Sequence, residues 1–191
     1  MAARERPHVL GIDDGPFDKF ERAPGPVTLV GVMMEGSDLV EGVAVTAFPI
    51  DGADLTSFLA EWVGGLRLRP SLQAVMLNGI TMAGLCVVDI EALAERLDAP
   101  VIVVNRRPPL DRALCRALES AGLADRIPLV RRAPRAHALP DGLFAATAGV
   151  ATQRVAPLVA ATRSKSLLPE PLRLAHMIAR AIVMGESRGR P

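Results

Sequence analysis

Two adjacent carboxylates, Asp13 and Asp14, end the apolar run Val9-Leu10-Gly11-Ile12 and are followed at once by Gly15-Pro16. Such a run, stopped by Gly-Pro, reads as a buried strand that delivers acids to the edge of a sheet. Desolvating two carboxylates there is costly unless a cation, a hydrogen-bond donor or water meets them. The chemistry open to the pair is therefore the binding of a hard cation, and a plain Asp-Asp-Gly turn is the alternative. Cysteine offers no competing metal chemistry: Cys86 and Cys115 lie inside apolar segments without Cys-x-x-Cys or Cys/His spacing and read as small core residues.

Positioning these acids falls to the elements that follow. Residues 26–34 are β-branched and apolar, Gly36-Ser37-Asp38 is turn chemistry, and 39–48 run apolar again with Glu41 and Thr46 interspersed, so the first three strands form an antiparallel meander. Leu55, Phe58, Leu59, Trp62, Val63 and Leu66 then fall at helical spacing behind Asp54, a candidate N-cap. Residues 72–77 read as a fourth strand ending at Asn78-Gly79, and Asp89 opens a helix through Leu97. A fifth strand, 100–105, is closed by Arg106-Arg107-Pro108-Pro109 before a helix over 110–121. The segments 127–130 and 143–147 read as minor strands around a Pro- and Arg-rich loop, 131–140, and helices over 150–161 and 171–184 close the chain.

A meander followed by βαβ units is the element order of the ribonuclease H-like fold. The expected class is α/β, with a mixed central sheet, an antiparallel three-strand meander then parallel βαβ units, and helices on both faces. In that arrangement the first strand lies beside the fourth, and ligands bind outside the C-terminal ends of the strands. Asp13 is thereby set beside Asn78.

At 191 residues the chain is expected to form one domain, 1–191, ending in a flexible basic tail, 185–191. Its apolar runs are far shorter than a bilayer span and its start lacks a signal-peptide hydrophobic region, so a cytoplasmic protein without membrane contact is expected. The net charge of +1 conceals an asymmetry: residues 1–100 carry 15 Asp/Glu against 7 Lys/Arg, and residues 101–191 carry 6 against 15. Only Lys19 and Lys165 are lysines, so the positive half is built from arginine, whose planar fork grips phosphate. A guanine- and cytosine-rich genome would favour the same codons. With Tyr absent, a single-strand binder built on an aromatic stacking platform is disfavoured.

Three segments carry a family resemblance. Gly11-Ile12-Asp13-Asp14-Gly15-Pro16-Phe17, the block from Leu77-Asn78-Gly79 through Val87-Val88-Asp89-Ile90, and Leu168-Pro169-Glu170-Pro171 through His176 with the ending Gly185 to Arg190 resemble an uncharacterised, largely archaeal family, itself similar to endonuclease V. The resemblance spans nearly the full length. It implies a magnesium-dependent hydrolase of nucleic-acid phosphodiesters, since endonuclease V cuts near deaminated adenine with Mg²⁺ held by carboxylates on the first and fourth strands and a glutamate between them. Asp13 matches the first of these and Asp14 adjoins it. At the fourth strand Leu77-Asn78-Gly79 stands where the relative has Val-Asp-Gly, so a neutral amide replaces an anionic ligand of the Mg²⁺ (or Mn²⁺).

The third carboxylate has no residue in register; Asp51, Asp54 and Glu61 are nearby, and Asp54 is chosen because it enters the helix, where capping is its other role. Phe48-Pro49-Ile50-Asp51-Gly52 resembles the relative's wedge without its Tyr, which leaves recognition of deaminated adenine unsupported. Arg106 matches a basic position after the fifth strand, followed by Arg107; His176 matches a polar position on the helix facing the site; Arg188 belongs to the basic tail. These four are the candidate nucleic-acid contacts, with a solvated arginine pair and a structural His as the plainer readings. The expected partner is DNA or RNA. Two alternatives stay open: a module of the same fold that binds nucleic acid without cutting, and a protein-interaction scaffold.

Overall fold

The structure is a computed structural model and describes residues 6–18 and 25–187. Strands β1 (His8–Asp14), β2 (Val27–Glu35) and β3 (Leu39–Phe48) form the antiparallel meander, followed by helix α1 (Leu55–Gly64). β4 (Ala74–Asn78) returns parallel to β1, and β7 (Val101–Asn105), reached through helix α2 (Ile90–Leu97), is parallel to β4. Between β4 and α2 a short hairpin, β5 (Thr81–Met82) and β6 (Cys86–Val87), stands apart from the main sheet. Helices α3 (Asp111–Ser120) and α4 (Ile127–Arg132) lead to β8 (His137–Ala138), β9 (Phe144–Ala148), α5 (Thr152–Ala161) and α6 (Glu170–Met184). The main sheet has the order β3-β2-β1-β4-β7-β9-β8, a mixed sheet with β1 and β4 side by side near its centre.

Each face of the sheet is covered, as its strand alternation demands. Leu10, Ile12 and Leu29 pack with Leu55, Leu59, Val63 and Leu93 under α1 and α2. On the other face Val9, Met76 and Ile102 meet Val155, Val159 and Leu172 of α5 and α6, and Val30, Val32 and Met34 meet Ala175 and Ala179. Among the described residues no helix is long and apolar enough to cross a membrane.

Two expectations are corrected. Residues 127–130 form the start of α4 rather than a strand: Pro128 stands in its first turn, where the missing N–H costs nothing, and Ile127 and Val130 are buried together against Val87 and Leu118 at a helical i, i+3 spacing. A four-residue apolar run is too short for periodicity to separate the two readings. The loop over 131–140 contains β8, which pairs with β9, and β9 pairs antiparallel with β7, so the parallel part of the sheet stops at β7.

Candidate active site

Strand alternation sends Gly11, Asp13 and Gly15 toward α6, and the two glycines are what lets the helix lie directly on β1. A Cβ at Gly11 would come within 2.4 Å of the Pro171 carbonyl carbon and 2.5 Å of the Leu172 nitrogen, and one at Gly15 would meet Val183 Cγ2 at 2.9 Å and the Ala179 carbonyl oxygen at 3.1 Å. Between these two contact points the helix presents His176. Its Nδ1 lies 2.9 Å from Asp13 Oδ2.

Asp13 is nearly sealed from solvent, 3% exposed. The parallel register pairs Ile12 with Leu77, which brings the next residues, Asp13 and Asn78, together: Asn78 Nδ2 donates to Asp13 Oδ2 over 3.1 Å. Asp13 Oδ1 accepts the Asp14 N–H at 3.0 Å. A buried carboxylate is tolerable here because three donors surround it.

Asp14 leaves the strand on the opposite face, where its Oδ2 accepts the Ala83 N–H at 2.7 Å from the turn of the β5–β6 hairpin. Burial pushes its carboxyl up to about 6, opposed by the Ala83 hydrogen bond, while the charge of Asp13 adds to the rise. A carboxylate whose folded pKa is raised contributes full stability below its unfolded pKa and loses it as pH rises through the folded value. Asp14→Asn is therefore expected to stabilise the chain by about 2 kcal/mol at pH 7.5, with the gain vanishing by about pH 4. Urea unfolding at the two pH values checks this.

Asn78 and His176 line an open cleft of ≈ 690 Å³ together with Asn105, Arg106, Arg107, Pro108 and Pro109. Arg106 and Arg107 are exposed and follow β7 directly, so β7 carries them to the same sheet edge to which β1 carries Asp13 and β4 carries Asn78. Five predicted residues, Asp13, Asn78, Arg106, Arg107 and His176, thus gather at one edge. Asn105 adds a second amide that the sequence reading left out, although it ends an apolar strand as Asn78 does.

Asp54 is engaged elsewhere. It is the N-cap of α1, with a left-handed backbone (φ 52°), and its Oδ1 accepts the Ser57 N–H at 3.1 Å. Its bonds to Ser57 hold the carboxyl below the usual range. It lines a different cleft, with Thr56, Asp89, Arg96, Arg126 and Arg132. Asp54→Ala is expected to lower stability by about 1 kcal/mol, the cost of a lost cap, with the cleft chemistry unchanged. Urea unfolding measures the loss, and a stability unmoved by the substitution would show that the cap carries no weight. Arg188 and the end of the basic tail lie outside the described residues.

Arg126, unremarked in the sequence, clamps the loop after β3: its guanidinium donates to the carbonyls of Leu85 at 3.0 Å, Gly52 at 3.0 Å and Asp51. Asp51 Oδ1 accepts the Leu85 N–H at 2.7 Å, so the loop resembling the wedge is tied to the same hairpin that holds Asp14.

The mixed sheet, with β1 and β4 side by side near its centre and helices on both faces, is an endonuclease V-like fold. A Ciona intestinalis endonuclease V, crystallised with a 24mer DNA containing an inosine followed by a ribo-adenosine, superposes with a TM-score of 0.59 at 15% identity over 95% of this chain and 87% of that one. The chain belongs to the endonuclease dU family, whose model matches residues 5–183. A UPF0215 protein of Methanothermobacter thermautotrophicus is 40% identical over 185 residues, covering 95% of this chain and 90% of its own. The crystal structure of a protein of unknown function from Archaeoglobus fulgidus matches with a TM-score of 0.79 and 34% identity over 93% of this chain and 98% of that one.

Proposed function

We propose that the chain is a nuclease that hydrolyses a DNA phosphodiester bond with Mg²⁺ or Mn²⁺. The observation that carries this reading is Asp13, a buried carboxylate at the end of the first strand, held by Asn78 and His176 beside an arginine-lined cleft. The family's description, endonuclease dU, supports deoxyuridine-containing DNA as the substrate to try first, and the DNA held by the Ciona relative supports a nucleic-acid partner.

The donors fit one divalent cation held by few protein ligands. Asp13 supplies the anionic oxygen, and half a turn of the Asn78 carboxamide exchanges Nδ2 for Oδ1, whereas Asp14 is held on the other face of the strand by the β5–β6 hairpin. A bound cation supplies charge neutralisation at the scissile phosphate and a more acidic water. Arg106 and Arg107 hold the phosphate through their forked guanidinium groups. His176, bound to Asp13 through Nδ1 and lining the cleft, offers its other ring nitrogen to hold or pass a proton.

The test is the purified chain with Mg²⁺ or Mn²⁺ on single- and double-stranded oligonucleotides carrying deoxyuridine, deoxyinosine or neither. Cleavage at deoxyuridine above that of an Asp13→Ala control supports the reading, and product equal to the control on every substrate ends it. Asn78, neutral where endonuclease V is anionic, favours a second reading, binding without cutting. Affinity would then survive chelation and fall with salt by about one logarithmic unit per phosphate contact for each tenfold rise.

A further inference from the structure

At the end of β1 remote from Asp13, three side chains gather on one face of the sheet. His8 stands directly opposite Glu35 of β2 in the antiparallel register. His8 Nδ1 lies 2.8 Å from Glu41 Oε2 of β3. One ligand atom from each of the three falls within 4.8 Å of the others. We propose that His8, Glu35 and Glu41 form a second metal site, selective for Zn²⁺ over Mg²⁺, that rivets the first three strands.

The placement of Glu41 depends on an irregularity in the ladder. Met33 pairs with Gly42 and Met34 with Val40, so Glu41 is the extra residue of a β-bulge. In a regular strand Glu41 and Gly42 would point to opposite faces, and Gly42 faces Leu68 on the α1 side, the side shared by His8, Leu10 and Ile12. The bulge turns Glu41 onto that side, which is what such an insertion does to a side chain. His8 is equally fixed, because its N–H donates to Gln73 Oε1 at 2.9 Å and its carbonyl accepts the Gln73 N–H at 2.9 Å. Two rigid strands and a bulge thus hold the donors before any ion arrives.

The donor set decides the ion. One imidazole nitrogen with two carboxylates suits Zn²⁺ and its neighbours in the first transition row, whereas Mg²⁺ wants an all-oxygen octahedron. The side chains remain 20 to 31% exposed, which leaves a further coordination position to water. Among the described residues the cation paired with the group is Arg6, whose Nε lies 2.8 Å from Glu35 Oε1 and whose NH2 nitrogen lies 2.9 Å from Asp38 Oδ1. Its partnership with Asp38 lets the guanidinium give up Glu35 without losing its other partner. Five residues of extended strand separate His8 from Asp13, roughly 17 Å, so the site is independent of the cleft and of whether the cleft cuts DNA.

The experiment uses the full chain carrying Asp13→Asn, which removes the cleft's carboxylate while keeping its shape, stripped of metal and titrated with Zn²⁺ by calorimetry and equilibrium dialysis. One equivalent of Zn²⁺ is expected to bind and to resist a large excess of Mg²⁺, and Glu41→Gln on this background is expected to weaken it by about tenfold or more. Arg6→Ala keeps all three ligands and removes the cation that pairs with Glu35, so it is expected to tighten Zn²⁺ several-fold and keeps the proposal testable if the Glu41 variant misfolds. Absence of one-to-one Zn²⁺ binding, an affinity unmoved by Glu41→Gln in the folded chain, or an affinity unmoved by Arg6→Ala would each overturn the site.

Discussion

Gly11→Ala should lower the stability of this chain by about 3 kcal/mol or more, a fall in unfolding temperature of roughly 6–12 °C for a protein of this size. The added methyl would sit 2.4 Å from the Pro171 carbonyl carbon, 2.5 Å from the Leu172 nitrogen and 2.7 Å from the Pro171 carbonyl oxygen. All three are backbone atoms in the first turn of α6, where no rotamer can yield, so the helix itself must lift from β1. The turn is anchored from behind as well: Glu170 is buried, accepts the Lys165 N–H at 3.1 Å and pairs with Arg173 at 2.6 Å, while its own N–H donates to the Thr162 carbonyl at 2.8 Å. Lifting α6 also withdraws His176 from Asp13, so residual folded protein should lose cleft function out of proportion to its unfolding. Thermal unfolding followed by circular dichroism measures the first effect. A variant as stable as the parent would show that the helix does not rest on the strand.

The same alternation explains what could be read in advance. Gly11, Asp13 and Gly15 share a parity, and so do Leu10, Ile12 and Asp14, so the sequence already separates a face that accepts a helix closely from a face that fills a core. The meander follows from its long runs and turn residues, whereas β4 and β7, short and buried on both faces without alternation, follow from element order and the turn residues that bound them, and the neighbourhood of Asp13 and Asn78 follows from that order. The misread segments are short or depend on distant partners. Ile127 to Val130 packs against Leu118 of the preceding helix and against Val87, the latter far away in sequence. Asp54 is not among these: the sequence leaves it open as a cap or a ligand, and its bond to Ser57, three residues on, shows the cap. Glu41 joins His8 only because a bulge breaks the alternation that sequence reasoning must assume. Arg126 carries no local signal, since its role lies in three carbonyl groups from two separate loops.

On the proposed nuclease function, Asp13→Asn should reduce DNA cleavage by at least about 10³-fold while leaving the chain folded, because the amide keeps the shape of the carboxylate and removes the anionic oxygen that Asn78 and His176 share. Loss of one preorganised charge at a phosphoryl site costs about 3–4 kcal/mol of transition-state stabilisation, and here no second carboxylate on β4 compensates. Asn78→Asp tests the complementary side of the argument. It restores a second charge 3.1 Å from the first, so without metal the two carboxylates repel and the fold should lose about 1–2 kcal/mol. With Mg²⁺ the repulsion becomes ligation, and the apparent affinity for the ion should rise about tenfold or more. The signature is a Mg²⁺-induced rise in unfolding temperature that is larger in Asn78→Asp than in the parent and small in Asp13→Asn. Equal shifts in all three would place the cation away from the β1–β4 edge. A larger shift in Asn78→Asp with more cleavage would show that the neutral amide limits the rate through metal occupancy, whereas a larger shift with no cleavage would favour the reading in which this cleft holds nucleic acid without cutting it.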